Sequence, residues 1–477
     1  MRLFVVTWVV LLSACTSFNS SLYSQSLQSC LSHLSAFKKE VNRQQVNDGQ
    51  VLNHKAFPYL AFDRFSQSQL EQVTTDRDRS QWLDYTSQLA TRQRQAEFNN
   101  LLVNRFDLQV LDNCADKLTA EAKHNDLVWE SLIEQKISIP DSYEPWLRVF
   151  GLYPISRQVA QSSIDKEKKR ILLGFSDTSI HTTSYRLPKT SLPAQDIETW
   201  FNDALQHSTL GWPMLTDAQI SQLYHYYSPL INVEHGSDDD IPGTVHYLAN
   251  EQQPAVDPSK PALYVHHSYT QLYGETYLQL NYSLWFANRT PTSSFDPYAG
   301  KFDGVLLRLT LDHQGRPLLL DSIHHCGCYH MVFNLTDRFG FENANPDIET
   351  PLLFKRAVPS HASSWSVTLS QGEHMIRHID WNKQAEAEAK RQARTLARLD
   401  YDQLRQLPTG HHHTVSLFNP RGLLPSSERL ESVYLWPFGI PSAGAMRQLG
   451  HHAIAFVGVR HFDQPNLFEQ IIRPVKP

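Results

Sequence analysis

The chain has 477 residues, of which 41% are hydrophobic and 11% aromatic, and 43 basic side chains stand against 49 acidic ones. This length allows two or three domains with a sizeable core, and the aromatic content excludes wholesale disorder. The formal net charge of -6 provides no strong positive field, so the composition argues against nucleic acid as a partner.

The first residues have the pattern of an export signal. Met1-Arg2 is followed by Leu3 to Leu12, ten residues that are apolar except for Thr7. Ten residues are too few to cross a hydrocarbon core, which needs about 20 in a helix. The pattern therefore predicts a signal peptide over residues 1–14 that is removed from the mature protein.

The stretch Leu12-Ser13-Ala14-Cys15 resembles a bacterial lipobox. The resemblance implies cleavage before Cys15, acylation of its thiol with fatty acids such as palmitate, and attachment to the membrane through that lipid. Thr16 at the next position implies sorting to the outer membrane, with the protein facing the periplasm. The Ser-rich residues 15–28 are predicted to form a lipidated tether. The alternative is an ordinary signal peptide and free secretion.

Glycine divides the remaining chain into two unlike regions. Gly49 is the one glycine of residues 1–150, and the other 18 follow, together with 23 of the 26 prolines. A segment with few helix-breaking residues, that is, few glycines and prolines, permits long helices. Residues 29–150 are therefore predicted to be helical. Apolar residues recur there at a spacing near 3.6 in three stretches, Leu27–Val41, Leu83–Leu102 and Leu108–Ile133.

In residues 151–477, apolar and polar residues alternate with a period of two instead. Three predicted hairpins turn at Gly274, at Gly315 and at Gly372, which favours an antiparallel sheet. A charged helix is predicted near residues 383–399, and final strands with tight loops over Trp436–Val459. The fold class is α+β, an N-terminal helical region followed by a mainly antiparallel β-sheet domain.

Five cysteines occur in the chain. If Cys15 carries the lipid, four remain, and an exported protein lies in an oxidising compartment. Cys30 and Cys114 both lie within helical patterns, and a bridge between them would close a long loop. The alternative for this pair is two free buried thiols.

The densest constellation of reactive side chains is Asp321–Met331, which contains His324, His325, Cys326, Cys328 and His330. Three interpretations compete. Cys326 and Cys328 form a short-range disulfide, which a strained geometry would make redox-active. Alternatively, the thiols and one or two of the histidines hold zinc or copper. In the third interpretation, the thiols are reduced and the histidines are ordinary.

Other polar clusters have simpler expectations. His374 and His378 are predicted on a sheet surface, and Asp238-Asp239-Asp240 is predicted as a solvated turn. His266 and His267 are predicted to alternate across a strand, which turns one of them towards the core.

Several segments resemble pieces of a family of uncharacterised proteobacterial lipoproteins for which no activity is established. They are Phe57-Pro58-Tyr59-Leu60 with Asp63-Arg64-Phe65, Asp303-Gly304, residues 321–330, Trp436–Ile440 and Gly444–Gln448. The resemblance implies placement in the cell envelope and implies no catalytic residue.

The sequence contains no G-x-S-x-G elbow, no Walker loop and no G-x-G-x-x-G motif. The first hypothesis is therefore a lipid-anchored envelope protein that binds a protein or small-molecule partner or braces an assembly. The second is a zinc enzyme, such as a hydrolase, that uses the His324–His330 loop, with Asp321 or Glu373 as base. The third is metal handling in the envelope without catalysis.

Overall fold

The computed structural model describes residues 22–175, 182–248, 253–342, 345–359, 363–381, 392–410 and 413–475. Helices dominate the first half of this part of the chain and strands the second, which confirms the α+β class. The helices are α1 (Gln25–Gln44), α2 (Arg64–Gln69), α3 (Asp76–Asn100), α4 (Leu108–His124), α5 (Asp126–Glu134), α6 (Pro145–Phe150), α7 (Tyr153–Gly174), α8 (Ala194–His207), α9 (Asp217–Tyr226) and α10 (Ser432–Leu435). Within these ranges, no helix combines the length and the apolar character needed to span a membrane.

The strands form two larger sheets and several short pairs. They are β1 (Leu52–His54), β2 (Phe57–Phe62), β3 (Thr182–Arg186), β4 (Leu230–Glu234), β5 (Thr244–Tyr247), β6 (Pro254–Asp257), β7 (Ala262–Leu272), β8 (Glu275–Arg289), β9 (Gly300–Leu311), β10 (Pro317–His324), β11 (Met331–Asn334), β12 (Phe339–Phe341), β13 (Leu352–Lys355), β14 (Ser366–Leu369), β15 (Ile376–Asp380), β16 (Arg394–Thr395), β17 (Ala397–Asp400), β18 (Leu407–Pro408), β19 (Thr414–Val415) and β20 (Ile472–Pro474).

The predicted helical region folds around one buried strand. All six residues of β2 are buried, and β2 packs against α1, α3 and α4. α3 begins at a capping box in which the side chains of Thr75 and Asp78 each accept the other's backbone N–H. Leu34 and Phe37 lie on the buried face of α1. The three predicted helical stretches are confirmed, with the β1–β2 hairpin among them.

The predicted bridge between Cys30 and Cys114 is present. It joins α1 to α4, with Cα atoms 5.0 Å apart and a sequence separation of 84 residues. Closing a loop of that length makes the unfolded chain less favourable by several kcal/mol in the entropy model. The bridge therefore fastens the first helix to the body of the protein.

The larger sheet has seven strands in the order β13-β11-β10-β9-β8-β7-β17. Its centre consists of the predicted hairpins at Gly274 and Gly315, which are confirmed as β7–β8 and β9–β10. The two edge strands, β13 and β17, run parallel to their neighbours, so the sheet is mixed at its edges.

Both faces of this sheet are buried. Leu280 and Leu284 of β8 point into the main core with α8, α9 and the second sheet. The opposite face carries a polar row of cross-strand neighbours, His266, Asn281 and Arg308 with Asp321, covered by the C-terminal segment around Phe462. Alternation of this kind is typical of a sheet with one solvated face, but here the polar face is covered by chain.

The third predicted hairpin forms, as β14–β15, but it belongs to a different sheet. This second sheet has five strands in the order β15-β14-β4-β3-β16. The expectation of one sheet built from three successive hairpins is therefore wrong, because β14 pairs in parallel with β4 rather than with β11 or β13.

Three further expectations need correction. Helices continue past residue 150 as α7, α8 and α9, so the change to strands comes later than the glycine distribution predicts. Of the helix predicted near 383–399, residues 382–391 lie outside the described residues, and 394–400 are the strands β16 and β17 because their backbones pair with β3 and β7. Trp436–Val459 forms short helical turns and loops rather than final strands.

The prediction of a tether over residues 15–28 is wrong for its last four residues, which belong to α1. Residues 15–21 lie outside the described residues, and α1 already begins at Gln25. Tyr23 is buried, and its hydroxyl lies 3.0 Å from the hydroxyl of Tyr59 in β2. Tyr23 therefore packs against β2, the central strand of the helical region.

Candidate functional site

The motif singled out in the sequence forms the connection between β10 and β11. β10 ends at His324, and the N–H of Gly327 donates to the carbonyl oxygen of His324 at 2.8 Å. The N–H of His324 in turn donates to the carbonyl oxygen of Cys328 at 3.0 Å. Gly327 has φ +94°, and a side chain there would collide with the carbonyl oxygen of Ala453, so this turn requires glycine.

The three histidines of the motif point to three different partners. His324 Nδ1 lies 3.6 Å from a carboxylate oxygen of Asp303. His325 stacks on the indole of Trp285, with ring centroids 4.2 Å apart. His330 Nε2 lies 3.2 Å from Asp321 Oδ2.

The predicted metal-ligand set is therefore not assembled. In the part of the chain that the structure describes, no group of three or more His, Cys, Asp or Glu side chains is arranged to hold a metal ion. His324 and His325 lie on opposite faces of the strand end because successive residues of a strand alternate. Burial lowers the pKa of all three histidines, that of His325 to about 3, so their rings are neutral.

Neither proposed general base is free. Asp321 is fully buried and accepts hydrogen bonds from Arg308 at 2.9 and 2.6 Å. Glu373 pairs with Arg170 and with Arg289, at 3.0 and 3.2 Å. Both carboxylates therefore hold arginines in place.

His374 is not a surface residue, and the prediction that it faces solvent is wrong. Its Nδ1 lies 2.8 Å from Asp303 and its Nε2 3.4 Å from Asp240, and its ring stacks on Phe286. Asp240, predicted in a solvated turn, is buried as well. Burial alone would raise the pKa of Asp303, but the hydrogen bond with His374 and the neighbouring ring of His324 outweigh it and hold that pKa well below its usual range. This buried network ties β9 to the turns that precede β5 and β15.

The two free thiols of the motif, Cys326 and Cys328, face a partly open cavity. We call this space the α7 cavity; its volume is about 260 Å³. The interpretation that the two cysteines form a disulfide does not hold in this structure. The walls are mostly apolar, and the residues used below are Ala160, Ile164, Cys326, Cys328, Glu431 and Ile454.

Helix α7 covers this cavity without packing tightly onto it. Ala160, Ile164, Glu167, Lys168 and Ile171 recur at helical spacing on its inner side and line the cavity. Of the 22 residues of the helix, Ile171 is the buried one. The helix is held chiefly at its ends and edges, where Phe175 stacks on Phe354 with centroids 4.2 Å apart and Lys168 donates to the Thr350 carbonyl at 2.5 Å.

Glu431 is the unusual side chain of the cavity wall. It is only 5% exposed, yet its carboxyl group makes no hydrogen bond or ion pair with any described residue. The carboxyl lies against Gly444, where any side chain would collide with it. Burial raises the pKa of Glu431 to about 7, although Arg429 and Arg289 act against this rise. A buried carboxyl group that titrates near neutrality and faces a cavity is a common feature of functional sites.

The thiols interact with each other and with a buried guanidinium. A side-chain hydrogen bond from Cys328 lowers the pKa of Cys326, and the same bond raises the pKa of Cys328. Arg447 interacts electrostatically with both thiols, and its buried Nε has no hydrogen-bond partner among the described residues. The N–H of Arg447 donates to the His325 carbonyl at 2.8 Å, which brings the 444–448 segment against the motif.

Sequence reasoning missed Glu431 altogether, because one glutamate in an irregular segment has no spacing or motif to mark it. It also missed a second cavity of about 140 Å³ at the edge of β7, lined by Arg92, Tyr85, His266 and His267. β17 pairs with β7 only as far as Val265, so the strand edge is open beside both histidines. The polar alternation of β8 was the one available signal for this cavity.

Comparison of the chain with protein-family models, with curated proteins and with solved structures finds no match.

Proposed function

We propose that this protein is a lipid-anchored envelope protein, attached to the outer membrane and facing the periplasm, that binds a small, largely apolar ligand in the α7 cavity. The observation that carries the proposal is the partly open cavity of about 260 Å³, which is lined in part by the most distinctive motif of the sequence. Ligand pockets in proteins are typically concave and mostly apolar, with a few convergent polar groups.

The chemistry of the wall favours one class of ligand. Ile164 and Ile454 present carbon to the cavity, while Glu431 offers a single polar group without a partner. Because the pKa of Glu431 is about 7, its carboxyl group is protonated at mildly acidic pH and can then donate a hydrogen bond. An apolar molecule with one hydroxyl or carbonyl group matches this arrangement.

The envelope location rests on the lipobox-like stretch that ends at Cys15, with support from the bridge between Cys30 and Cys114. Disulfides persist in oxidising compartments and are rare in the cytosol. The zinc-enzyme and metal-handling hypotheses have less support, because the described residues of the motif are divided among Asp303, Trp285 and Asp321.

Binding can be tested with N-phenyl-1-naphthylamine, a dye that fluoresces in apolar sites. Ala160→Trp places an indole in the cavity, whereas Gln161→Trp places the same ring on the exposed side of α7. We expect Ala160→Trp to weaken dye binding at least tenfold and Gln161→Trp to leave it unchanged. Equal affinity in the two variants would show that the dye binds elsewhere and would refute ligand binding in this cavity.

The anchor needs a separate experiment. Cells that express the full chain are labelled with radioactive palmitate, and the Cys15→Ala variant is the control. We expect label in the parent protein alone, and the parent alone in the outer-membrane fraction. Absence of label from the parent would overturn the lipid anchor and leave the dye experiment unaffected.

A further inference from the structure

The second cysteine pair has the surroundings of a reactive group rather than of a structural one. Both thiols are free, and both line the α7 cavity. Cys326 is 8% exposed and Cys328 is more exposed, so a small molecule in the cavity can contact their sulfur atoms.

Backbone geometry fixes the turn that carries the two cysteines. Gly327 separates the cysteines and takes a φ of +94°, a conformation that other residues rarely adopt. The hydrogen bonds between His324 and Gly327 and between His324 and Cys328 hold this turn at both ends. The turn therefore keeps the thiols adjacent without any cross-link.

Two charged groups complete the site. Arg447 interacts electrostatically with both thiols, and a nearby guanidinium favours the thiolate, the form of cysteine that reacts with disulfides. Glu431 faces the same cavity without a hydrogen-bond partner, and its negative charge raises the pKa of both cysteines, which keeps them protonated until a base acts. A carboxylate that binds protons near neutral pH is suited to act as a general base there.

We propose that Cys326 and Cys328 form a thiol–disulfide redox pair that exchanges with small disulfides entering the α7 cavity, and that Glu431 accepts the proton released in the exchange. The proposal goes beyond ligand binding and is independent of the lipid anchor.

The exchange has two steps. The Cys326 thiolate attacks one sulfur of a disulfide R–S–S–R, whose bond breaks to form a mixed disulfide and release R–S⁻, which takes up a proton from solvent as R–SH. The Cys328 thiol then gives its proton to Glu431, and its sulfur attacks Cys326 and displaces the second R–S⁻, which is protonated likewise. Two electrons pass from the protein to the disulfide, and the products are one protein disulfide and two R–SH.

The electrostatics of the pair agree with these roles. The neighbouring thiol lowers the pKa of Cys326, which favours its thiolate. It raises the pKa of Cys328, so this thiol is the one that requires a base. The other charged groups around Glu431 are Arg429, Arg289, Asp303 and Asp296, and Glu167, Lys168 and Glu349 line the same cavity.

The proposal is tested on the folded, full-length protein with bis(2-hydroxyethyl) disulfide as the oxidant. After acid quenching and alkylation, mass spectrometry reports the state of the peptide that contains Cys326 and Cys328. We expect an intramolecular disulfide that dithiothreitol reverses, while the bridge between Cys30 and Cys114 remains intact in the folded protein. A peptide whose two cysteines stay alkylatable after prolonged exposure would overturn the proposal.

Single variants separate the steps. Cys328→Ser should stop at a mixed disulfide on Cys326, and Cys326→Ser should react at least tenfold more slowly. Equal reactivity of the two variants would contradict the assigned roles, because it would mean that neither thiol is activated.

The role of Glu431 is tested through the pH dependence of the oxidation rate. In the parent protein the rate should rise through pH 7, and Glu431→Gln should lower it at least tenfold at pH 8 and remove that rise. Glu428→Gln, three residues away on the exposed surface, is the matched control and should behave like the parent. Since glutamine resembles a protonated glutamate, the fold should survive, and circular dichroism checks this.

An unchanged pH profile in Glu431→Gln would show that this residue takes no proton. Oxidation that fails while the dye still binds would refute the redox proposal alone.

Discussion

The two cysteine pairs of this chain have opposite surroundings. Cys30 and Cys114 join two helices that are 84 residues apart in sequence, and they are bridged. Cys326 and Cys328 lie in one turn and are free, beside a cavity and a carboxyl group without a partner. A cross-link that closes a long loop stabilises the fold, whereas one across a single residue constrains almost nothing. On our proposal, the first pair serves stability and the second serves chemistry.

The largest effect should come from the first pair. Cys30→Ser with Cys114→Ser releases a loop of 84 residues, and the entropy model predicts a loss of about 4.5 kcal/mol in the free energy of unfolding. Urea denaturation without reductant measures it. A loss below about 1 kcal/mol would remove the basis for calling this pair structural.

The frame behind the second pair is held by ion pairs instead of a cross-link, and Asp303 is its centre. Asp303→Asn removes the charge that faces His374, His324 and Arg429, and it should lower the free energy of unfolding by about 4 kcal/mol. His378→Asn, which changes a half-buried histidine outside the network, is the control and should cost under about 1 kcal/mol. Similar losses in both variants would mean that the network adds nothing specific.

Glu431 should leave a signature in the pH dependence of stability. Its pKa is about 7 in the folded protein and lies near 4.5 when the chain unfolds, so the folded state holds the proton more tightly. The resulting stabilisation is complete below about pH 4.5 and is lost as the pH rises through 7, by about 3 kcal/mol in all. Urea denaturation of the parent and of Glu431→Gln at pH 5 and pH 8 should show this loss in the parent alone. Equal losses would mean that Glu431 has an ordinary pKa.

The smallest effect should come from the second pair itself. Cys326→Ser with Cys328→Ser removes no cross-link and should change the free energy of unfolding by less than about 1 kcal/mol. The same denaturation series measures it. A loss that equals that of the first pair would break the distinction between the two pairs.

Local patterns predicted the elements of the fold better than their assembly. Helical spacing around Leu34 and Leu118 and the turn at Gly274 depend on neighbouring residues, so they could be predicted from short windows of sequence. The parallel pairing of β14 with β4 joins residues more than 130 positions apart, and no local signal specifies such a partner. Taken alone, the polar alternation of β8 predicts that this face contacts solvent. It is the segment around Phe462, distant in sequence, that buries the face.

The candidate site shows the same limit. The motif from His324 to His330 could be found because its residues are consecutive. Its chemistry could not be predicted, because two of its histidines contact Asp303 and Trp285. Both of these residues belong to strands that precede the motif in sequence. Glu431 acquires its properties from burial against Gly444 and beneath α7, and burial is a property of the assembled chain.

The bridge between α1 and α4 also constrains the order of events during synthesis. α1 leaves the ribosome first, but the partners of its apolar face are β2, which ends at Phe62, and α4, which begins at Leu108. About eighty further residues must therefore be made before the helix can be fastened, and its apolar stripe stays uncovered in the meantime. Until its partners are in place, the apolar face of α1 is a surface through which the chain can aggregate.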